Sequence, residues 1–403
     1  MAQQSMSMDR MKAVDHYLGI PVCWALGILS ACLRLVRGRR PVPTAPQRIL
    51  ILKFFGMGHV LMATPLLQAI RHGRPNAHLI FMTFDSTAPL VKRQGLVDEI
   101  REIRTTGFVT FTRDLLRELL RFQTERIDVV IDLEFFSKFS TMVSMLTRSP
   151  VRVGYYLETF WRDSIITHPI FFNYHQHVLD IYESTINAIG LRMPERRIDP
   201  LPTSPEEQAA AARFFAQSGI DESEILVGVN ANASELSFER RWPAERFVEL
   251  IDDLLGRSPL KVLLTGGPSE VEYTDALYRQ LSERWAGRII NACGQLTFGQ
   301  FAAALPRCNL FITGDSGPMH VAIAQGVPTV SLWGPTNPGF HAPPGNHCRV
   351  IYHQMHCSPC LPMLTSRPGM WCDHRADCMR KITVTEVAQA VMEALDGVAG
   401  GRG

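Results

Sequence analysis

This chain has little charge and no long uninterrupted apolar run. Of its 403 residues only 20% are charged, the formal net charge is +2, and no block of like charge breaks the sequence. That balance argues against a nucleic-acid partner, which needs a concentrated basic footprint. No early apolar run is followed by a small-residue cleavage site, so no secretory leader is read, and the nine cysteines are expected in a reducing cytoplasm. The glycine pattern of a dinucleotide fold is incomplete as well. Gly56 and Gly58 would need a third glycine at 61, where Leu61 stands, so an oxidoreductase is the least favoured enzyme class.

The longest uncharged apolar stretch, 17–33, falls short of the roughly 20 residues that a bilayer span needs, and Gly19, Pro21 and Gly27 interrupt it. Arg34, Arg37, Arg39 and Arg40 follow it. Seven Lys or Arg stand against Asp9 and Asp15 in residues 1–48, so the positive excess of the chain sits there. Three arrangements fit: a helix lying in a lipid interface, a single span with cytoplasmic arginines, or a helix packed on the protein's own surface.

The length suits two domains. From Arg48 onward β-type runs (48–53, 78–84, 100–104, 128–133) alternate with helical patterns (59–70, 111–124), which indicates a parallel, doubly wound sheet. The proline-rich stretch 200–208 reads as a linker, and a second βα series follows with strands at 225–230, 261–265, 289–293, 310–313 and 327–333. The expected division is a membrane-associating segment 1–47, a first domain 48–200, a linker and connecting helix 201–221, a second domain 222–382, and a closing helix and tail 383–403. The closing helix is expected to pack back on the first domain.

Chemistry concentrates at Leu310–Pro338. A strand breaks at Gly314-Asp315-Ser316-Gly317, and a short helix starts near Pro318. Asp315 or Ser316 fits the N-cap, and a proline just inside the helix loses no bond it would otherwise make. A helix start at the carboxyl end of a parallel strand is an anion site, and that edge of an open sheet is where ligands bind. Asp315 could accept hydrogen bonds from sugar hydroxyls, with His320 on the first helical turn or so. A well-capped turn of no function is the alternative.

The run TGDSGPMHVAIAQGVPTVSLWGPTNP resembles the C-terminal signature of glycosyltransferase family 9, the ADP-heptose–lipopolysaccharide heptosyltransferases and their relatives. Asp315, Ser316, Gly317, Pro318, Met319, His320, Gly334, Pro335 and Thr336 match it position by position. The segment after the first strand is similar to the family's N-terminal motif through Gly58, Val60, Thr64, Pro65, Leu66, Leu67, Ala69, Ile70 and Arg71. His59 stands where the family has its aspartate base. An imidazole titrating near ~6.5 can take a hydroxyl proton at neutral pH, although His59 could equally be a polar residue at a helix start.

The resemblance implies a GT-B arrangement, two Rossmann-like α/β domains with doubly wound parallel sheets facing a cleft. It implies inverting transfer of a heptose from an ADP-sugar, without a cofactor for catalysis, to a lipid-linked or surface-glycan acceptor. Donor contacts are implied for Asn230, Arg241, the Gly266-Gly267-Pro268 loop, the Asp315 to His320 turn, and Gly334, Pro335 and Thr336. Gly56, Gly58, Asp132, Glu134 and Lys138 are implied on the acceptor side, with Asp132 and Glu134 as fallback bases. Cysteines in the family's late segment align with Cys357, Cys360, Cys372 and Cys378, a set that could hold structural zinc or iron, form a redox-sensitive loop, or pack as free thiols. Membrane proximity through the N-terminal segment would suit a lipid-linked acceptor. A nucleotide-sugar epimerase and a noncatalytic nucleotide-sugar binder are the rival readings.

Overall fold

The computed structural model describes the chain except residues 1–14, 16, 39, 136, 158–161, 163, 194, 234–237, 346–347, 361–371, 373 and 401–403. It resolves into two compact units, one running to Ile198 and the other starting at Asp199.

The first unit begins with α1 (Gly19–Arg37) and continues as β1 (Arg48–Leu52), α2 (Met57–Met62), α3 (Thr64–Gly73), β2 (His78–Phe84), α4 (Ala88–Gln94), β3 (Glu99–Ile103), α5 (Phe108–Thr124), β4 (Val129–Asp132), α6 (Lys138–Leu146), β5 (Val151–Tyr156), β6 (His168–Phe171) and α7 (Val178–Ala188). The strands form one parallel sheet in the order β3-β2-β1-β4-β5-β6. Its central strands are apolar except for Arg48 and Asp132 at their ends because helices cover both faces, and Ile49 to Leu52 and Val129 to Ile131 are buried. The single helix expected over 59–70 is two, α2 and α3. Pro65 lies in the first turn of α3, where its missing N–H costs nothing.

Helix α1 packs on α6. Cys23 is buried there with Met145 and Ile165, and the Ser30 hydroxyl accepts from Arg152 Nη2 at 3.2 Å. Just before α1, the Asp15 carboxylate accepts the Phe139 backbone N–H at 2.8 Å and pairs with Lys138 Nζ at 3.6 Å, so it caps the start of α6. One face of the apolar segment is thus held by the protein itself. Its other face is open: Trp24, Ile28 and Leu35 are exposed. Among the described residues no helix is long and apolar enough to cross a membrane.

The second unit comprises α8 (Pro205–Gln217), β7 (Ile225–Asn230), α9 (Ala244–Arg257), β8 (Leu260–Leu264), α10 (Val271–Ser282), β9 (Ile289–Asn291), α11 (Phe298–Ala304), β10 (Leu310–Gly314), α12 (Gly317–Ala324), β11 (Thr329–Trp333), α13 (Pro338–His341), β12 (Cys348–Tyr352), α14 (Asp377–Arg380) and α15 (Val384–Gly400). Its parallel sheet runs β12-β11-β10-β7-β8-β9, the same winding as the first. The residues read as a connecting helix form α8, which begins with a Ser204–Glu207 capping box and packs on α11 inside this unit. The closing helix α15 also belongs here rather than to the first unit. Val387, Val391 and Leu395 enter the same core as Trp242 and Phe247 of the α9 region, and the Trp242 indole donates to the Ile382 carbonyl at 3.0 Å.

Candidate functional site

Strand β10 delivers the Asp315 turn at its carboxyl end, between β7 and β11. Ser316 occupies the N-cap of α12, with Pro318 in the first turn, but its side chain caps nothing. The hydroxyl turns back to Thr313 Oγ1 at 3.0 Å. A serine at an N-cap usually satisfies a first-turn N–H, so this helix start keeps its amide dipole for something else.

Asp315 is nearly buried, and Arg240 reaches it from the loop after β7. Arg240 Nη1 donates to the Asp315 carbonyl at 2.9 Å and lies 3.4 Å from the carboxylate. Burial alone would push the Asp315 carboxyl up. The Arg240 guanidinium, the imidazoles of His341 and His320 and the Thr336 hydroxyl outweigh it and hold the group below the usual carboxylate range. Asp315 is therefore ionised at neutral pH, with its acceptor oxygens set among cationic and hydroxyl neighbours.

Arg241, the arginine singled out from the sequence, sits elsewhere. Its guanidinium is stacked between the rings of Phe238 at 4.6 Å and Tyr273 at 4.3 Å. Two adjacent arginines diverge here because the intervening backbone turns out of a 3-10 segment, Phe238–Arg240. Sequence could show a basic residue near Trp242 but not which side chain would point at Asp315.

The remaining residues expected around the donor lie on the loops after the parallel strands. Asn230 is buried and donates to the Thr265 carbonyl at 3.2 Å. Gly266 leaves no room for a side chain: a Cβ there would stand 2.6 Å from Cys293 Sγ and 3.1 Å from Asn232 Nδ2. The Gly267 N–H donates to Glu270 at 2.7 Å. Gly334 is required by packing, since a Cβ would meet Met379 Sδ at 2.4 Å. Its carbonyl accepts from the Ser358 hydroxyl at 2.5 Å, and the Pro335 carbonyl accepts from the Cys360 N–H at 2.9 Å. Thr336, next in line, is the residue beside Asp315.

In the first unit His59 lies half-buried on α2, its ring edge-on to Phe135 with centroids 5.3 Å apart. Gly56 precedes it at φ +83, a left-handed conformation, and a Cβ there would approach His59 Nδ1 to 2.9 Å. Gly58 is buried within α2. Asp132, Glu134 and Lys138, expected to edge an acceptor site, are buried in ionic networks instead. Asp132 accepts from Arg162 Nη2 at 2.6 Å and Ser140 Oγ at 3.0 Å. Full burial still pushes its carboxyl up to about 6. Glu134 accepts the Phe54 and Phe55 N–H groups at 2.5 and 2.9 Å and pairs with Lys53 at 3.2 Å. Lys138 is taken by Asp15. Charges at buried strand ends must be partnered, and of these carboxylates Glu134 also holds the Phe54-Phe55 turn that leads into α2 and His59.

Cys357, Cys360, Cys372 and Cys378 lie close enough to influence one another, and the tightest convergence brings in two histidines. Ligand atoms of His356, Cys357 and His374 lie within 4.8 Å of one another. Cys378 is buried under Gly334, where burial pushes its thiol up to about 11. Cys372 Sγ accepts the Ala376 N–H at 3.2 Å. Cys360 stays near the group, its thiol raised first by burial and then by the neighbouring Cys372 and Cys357. Two imidazoles and a thiolate suit zinc or iron. The histidines were visible in the sequence beside the cysteines, but the long gap between 357 and 374 hid their convergence.

A family model described as glycosyltransferase family 9 (heptosyltransferase) matches residues 115–370. Over 137 residues the chain is 28% identical to lipooligosaccharide heptosyltransferase 2 of Campylobacter jejuni, a match covering 34% of this chain and 42% of that relative, so it spans under half the relative's length. A solved glycosyltransferase family 9 protein from Veillonella parvula superposes with a TM-score of 0.70 at 26% identity, covering 87% of this chain and 98% of that one. The ADP-heptose lipopolysaccharide heptosyltransferase II of Escherichia coli superposes at 0.65 with 20% identity, over 86% of this chain and 98% of that one, a likeness of fold. The two doubly wound units are the GT-B fold read from the sequence.

Proposed function

The chain belongs to glycosyltransferase family 9, the heptosyltransferases, and on that premise we propose that it is an inverting enzyme moving a heptose from an ADP-activated donor to a lipopolysaccharide core or related surface glycan. The observation that carries this reading is the uncapped start of α12 beside the Asp315–Arg240 pair. The donor's diphosphate takes the N–H groups of Ser316 and Gly317 and the Arg240 guanidinium, in the phosphate role that the sequence assigned to Arg241. Asp315 accepts from sugar hydroxyls. Asn230, Gly266 and Gly267 border the nucleoside, while Met319, His320 and Gly334 to Thr336 shape the turn.

His59 removes the proton of the acceptor hydroxyl as its oxygen attacks the anomeric carbon opposite the diphosphate. The bond from that carbon to the diphosphate oxygen breaks, its electron pair leaves with the phosphate, and the anomeric configuration inverts. The amide dipoles and Arg240 stabilise the charge gathering on the leaving group, usually the largest catalytic term. Glu134 acts at one remove, by holding the Phe54-Phe55 turn before α2, and Asp132 supports it by accepting the Glu134 N–H at 3.1 Å. No cofactor enters these steps.

We further propose that the outer face of α1, followed by the arginines after it, rests on the cytoplasmic face of the membrane that carries the acceptor. His356, Cys357 and His374 would hold a structural zinc or iron that ties the 356–357 stretch to residue 374.

A thermal-shift panel of ADP-, UDP- and GDP-sugars tests the donor. A ligand present at a hundred times its Kd adds about 2.7 kcal/mol to the folded state, so the donor should stand out. ADP-sugars are expected to give the largest rise, and a larger rise with a UDP- or GDP-sugar would overturn the assignment. Product formation that survives His59→Ala unchanged would remove His59 as the base.

A further inference from the structure

On the outer side of the first unit, α5 shows an apolar face that its own core does not use. Phe111, Leu115, Leu119 and Phe122 point inward to the sheet. A second stripe points outward: Phe108, Val109, Leu116 and Leu120 are 72%, 79%, 54% and 69% exposed. A solvent-facing helix surface is ordinarily polar, and large exposed apolar patches mark interaction sites.

The charges of the helix are sorted by face. Asp114 and Glu118, its two carboxylates, are buried; the half-exposed Arg104 pairs with Asp114, and the buried Arg101 lies 3.6 Å from Glu118. Arg113, Arg117 and Arg121 flank the outer stripe with side chains 66%, 54% and 46% exposed. Arg113 lies 3.9 Å from Asp114, Arg117 3.1 Å from Glu118 and Arg121 3.4 Å from Glu99 and 3.5 Å from Glu118, but a guanidinium carries five N–H donors and each keeps some for an outside partner. The charge exposed on the outward surface of α5 is therefore cationic beside the apolar stripe, because the carboxylates paired with these arginines lie buried behind them. Two copies packed through it would bring six guanidinium groups together, whereas anionic phosphates would compensate them.

The neighbouring helices narrow the shape of the partner. The crossovers β3→β4 and β4→β5 run in the same direction along the sheet, so right-handed connection puts α5 and α6 on one face of it. Phe111 and Phe139 touch across them, with ring centroids 5.6 Å apart. Helix α1 covers α6 and carries its own open apolar face. One side of the unit thus presents two separate apolar helices.

We propose that the outer face of α5 is a second membrane contact, seating Phe108, Val109, Leu116 and Leu120 among lipid chains while Arg113, Arg117 and Arg121 bind anionic phospholipid headgroups. It extends the proposed α1 contact, and it makes binding depend on lipid charge as well as apolar burial.

The test uses the full chain with phosphatidylcholine vesicles, with and without phosphatidylglycerol, read by co-sedimentation. The variants are Leu116→Asp with Leu120→Asp, and Arg113→Gln with Arg117→Gln, each checked for unchanged ADP binding and melting. The wild type is expected to prefer the anionic vesicles, and each double variant to lose about tenfold in partitioning. Variants that partition like the wild type would overturn the proposal, since α1 alone would then account for binding. So would a wild type that ignores vesicles, or one that dimerises in solution and becomes monomeric with the aspartates. ADP binding reports on the donor site separately, so a failure here leaves that reading standing and a failure there leaves this one.

Discussion

Replacing Arg240 by alanine removes the side chain that joins the loop after β7 to the Asp315 turn. Two effects follow, and they can be measured apart. The first is on stability. Arg240 and Asp315 have side chains only 12% and 11% exposed, and Arg240 is the largest influence opposing the effect of burial on the carboxyl. Breaking a buried pair costs about 3–5 kcal/mol, and the lower end applies because His341, His320 and Thr336 remain beside Asp315. For a unit of this size about 3 kcal/mol corresponds to roughly 6–12 °C of melting temperature. The second is on the ligand: a charge-assisted hydrogen bond to a phosphate contributes about 1.5–3 kcal/mol, so ADP binding should weaken by roughly 10- to 150-fold. Arg241→Ala is the control. It loses two ring contacts at about 0.5–1 kcal/mol each, which lowers the melting temperature by a few degrees and leaves the ADP Kd within about threefold. Calorimetric titration of ADP into both folded variants decides the matter. An Arg241 variant that binds ADP more weakly than the Arg240 variant would refute the assignment.

Two further outcomes are expected. Purified chain should carry zinc or iron in stoichiometric amount by elemental analysis, and Cys357→Ala with His374→Ala should lose it; wild-type protein that is metal-free and indifferent to a chelator would contradict the site. Asp114 is held at about 2, against an ordinary 3.8, chiefly by its hydrogen bonds to Arg104. A depressed carboxylate contributes stability that is complete above about pH 4 and is lost as pH falls through 2. Asp114→Asn should be less stable at neutral pH yet lose less on acidification, as read by urea unfolding near pH 7 and pH 3, and parallel losses in both proteins would contradict it.

The architecture was legible because it is written in local pattern. Apolar runs such as Arg48–Leu52 and Leu310–Gly314, separated by amphipathic helices, leave a parallel doubly wound sheet as the packing that buries them. The Asp315 turn was legible for the same reason, since strand, glycine, serine and proline follow in a fixed local order. What could not be read was direction. Nothing in Arg240-Arg241 says that the first reaches Asp315 and the second stacks on Phe238 and Tyr273. Asp132 and Glu134 looked like site carboxylates because their partners, Arg162 and Lys53, are distant or unremarked in sequence. Ser316 obeyed the rule for N-cap identity and broke it in geometry, because Thr313 competed for its hydroxyl. His356 and His374 reach one another only through the fold.

The attachment of Ser358 and Cys360 to the carbonyls of Gly334 and Pro335 has a bearing on how this enzyme could be rebuilt. The two stretches are far apart in sequence but share one set of backbone bonds, and Met379 and Cys378 fill the space beneath. A chimera that imported the thiol-bearing stretch from a relative would need that relative's Gly-Pro-Thr segment as well, or the backbone bonds that join the two stretches would be lost.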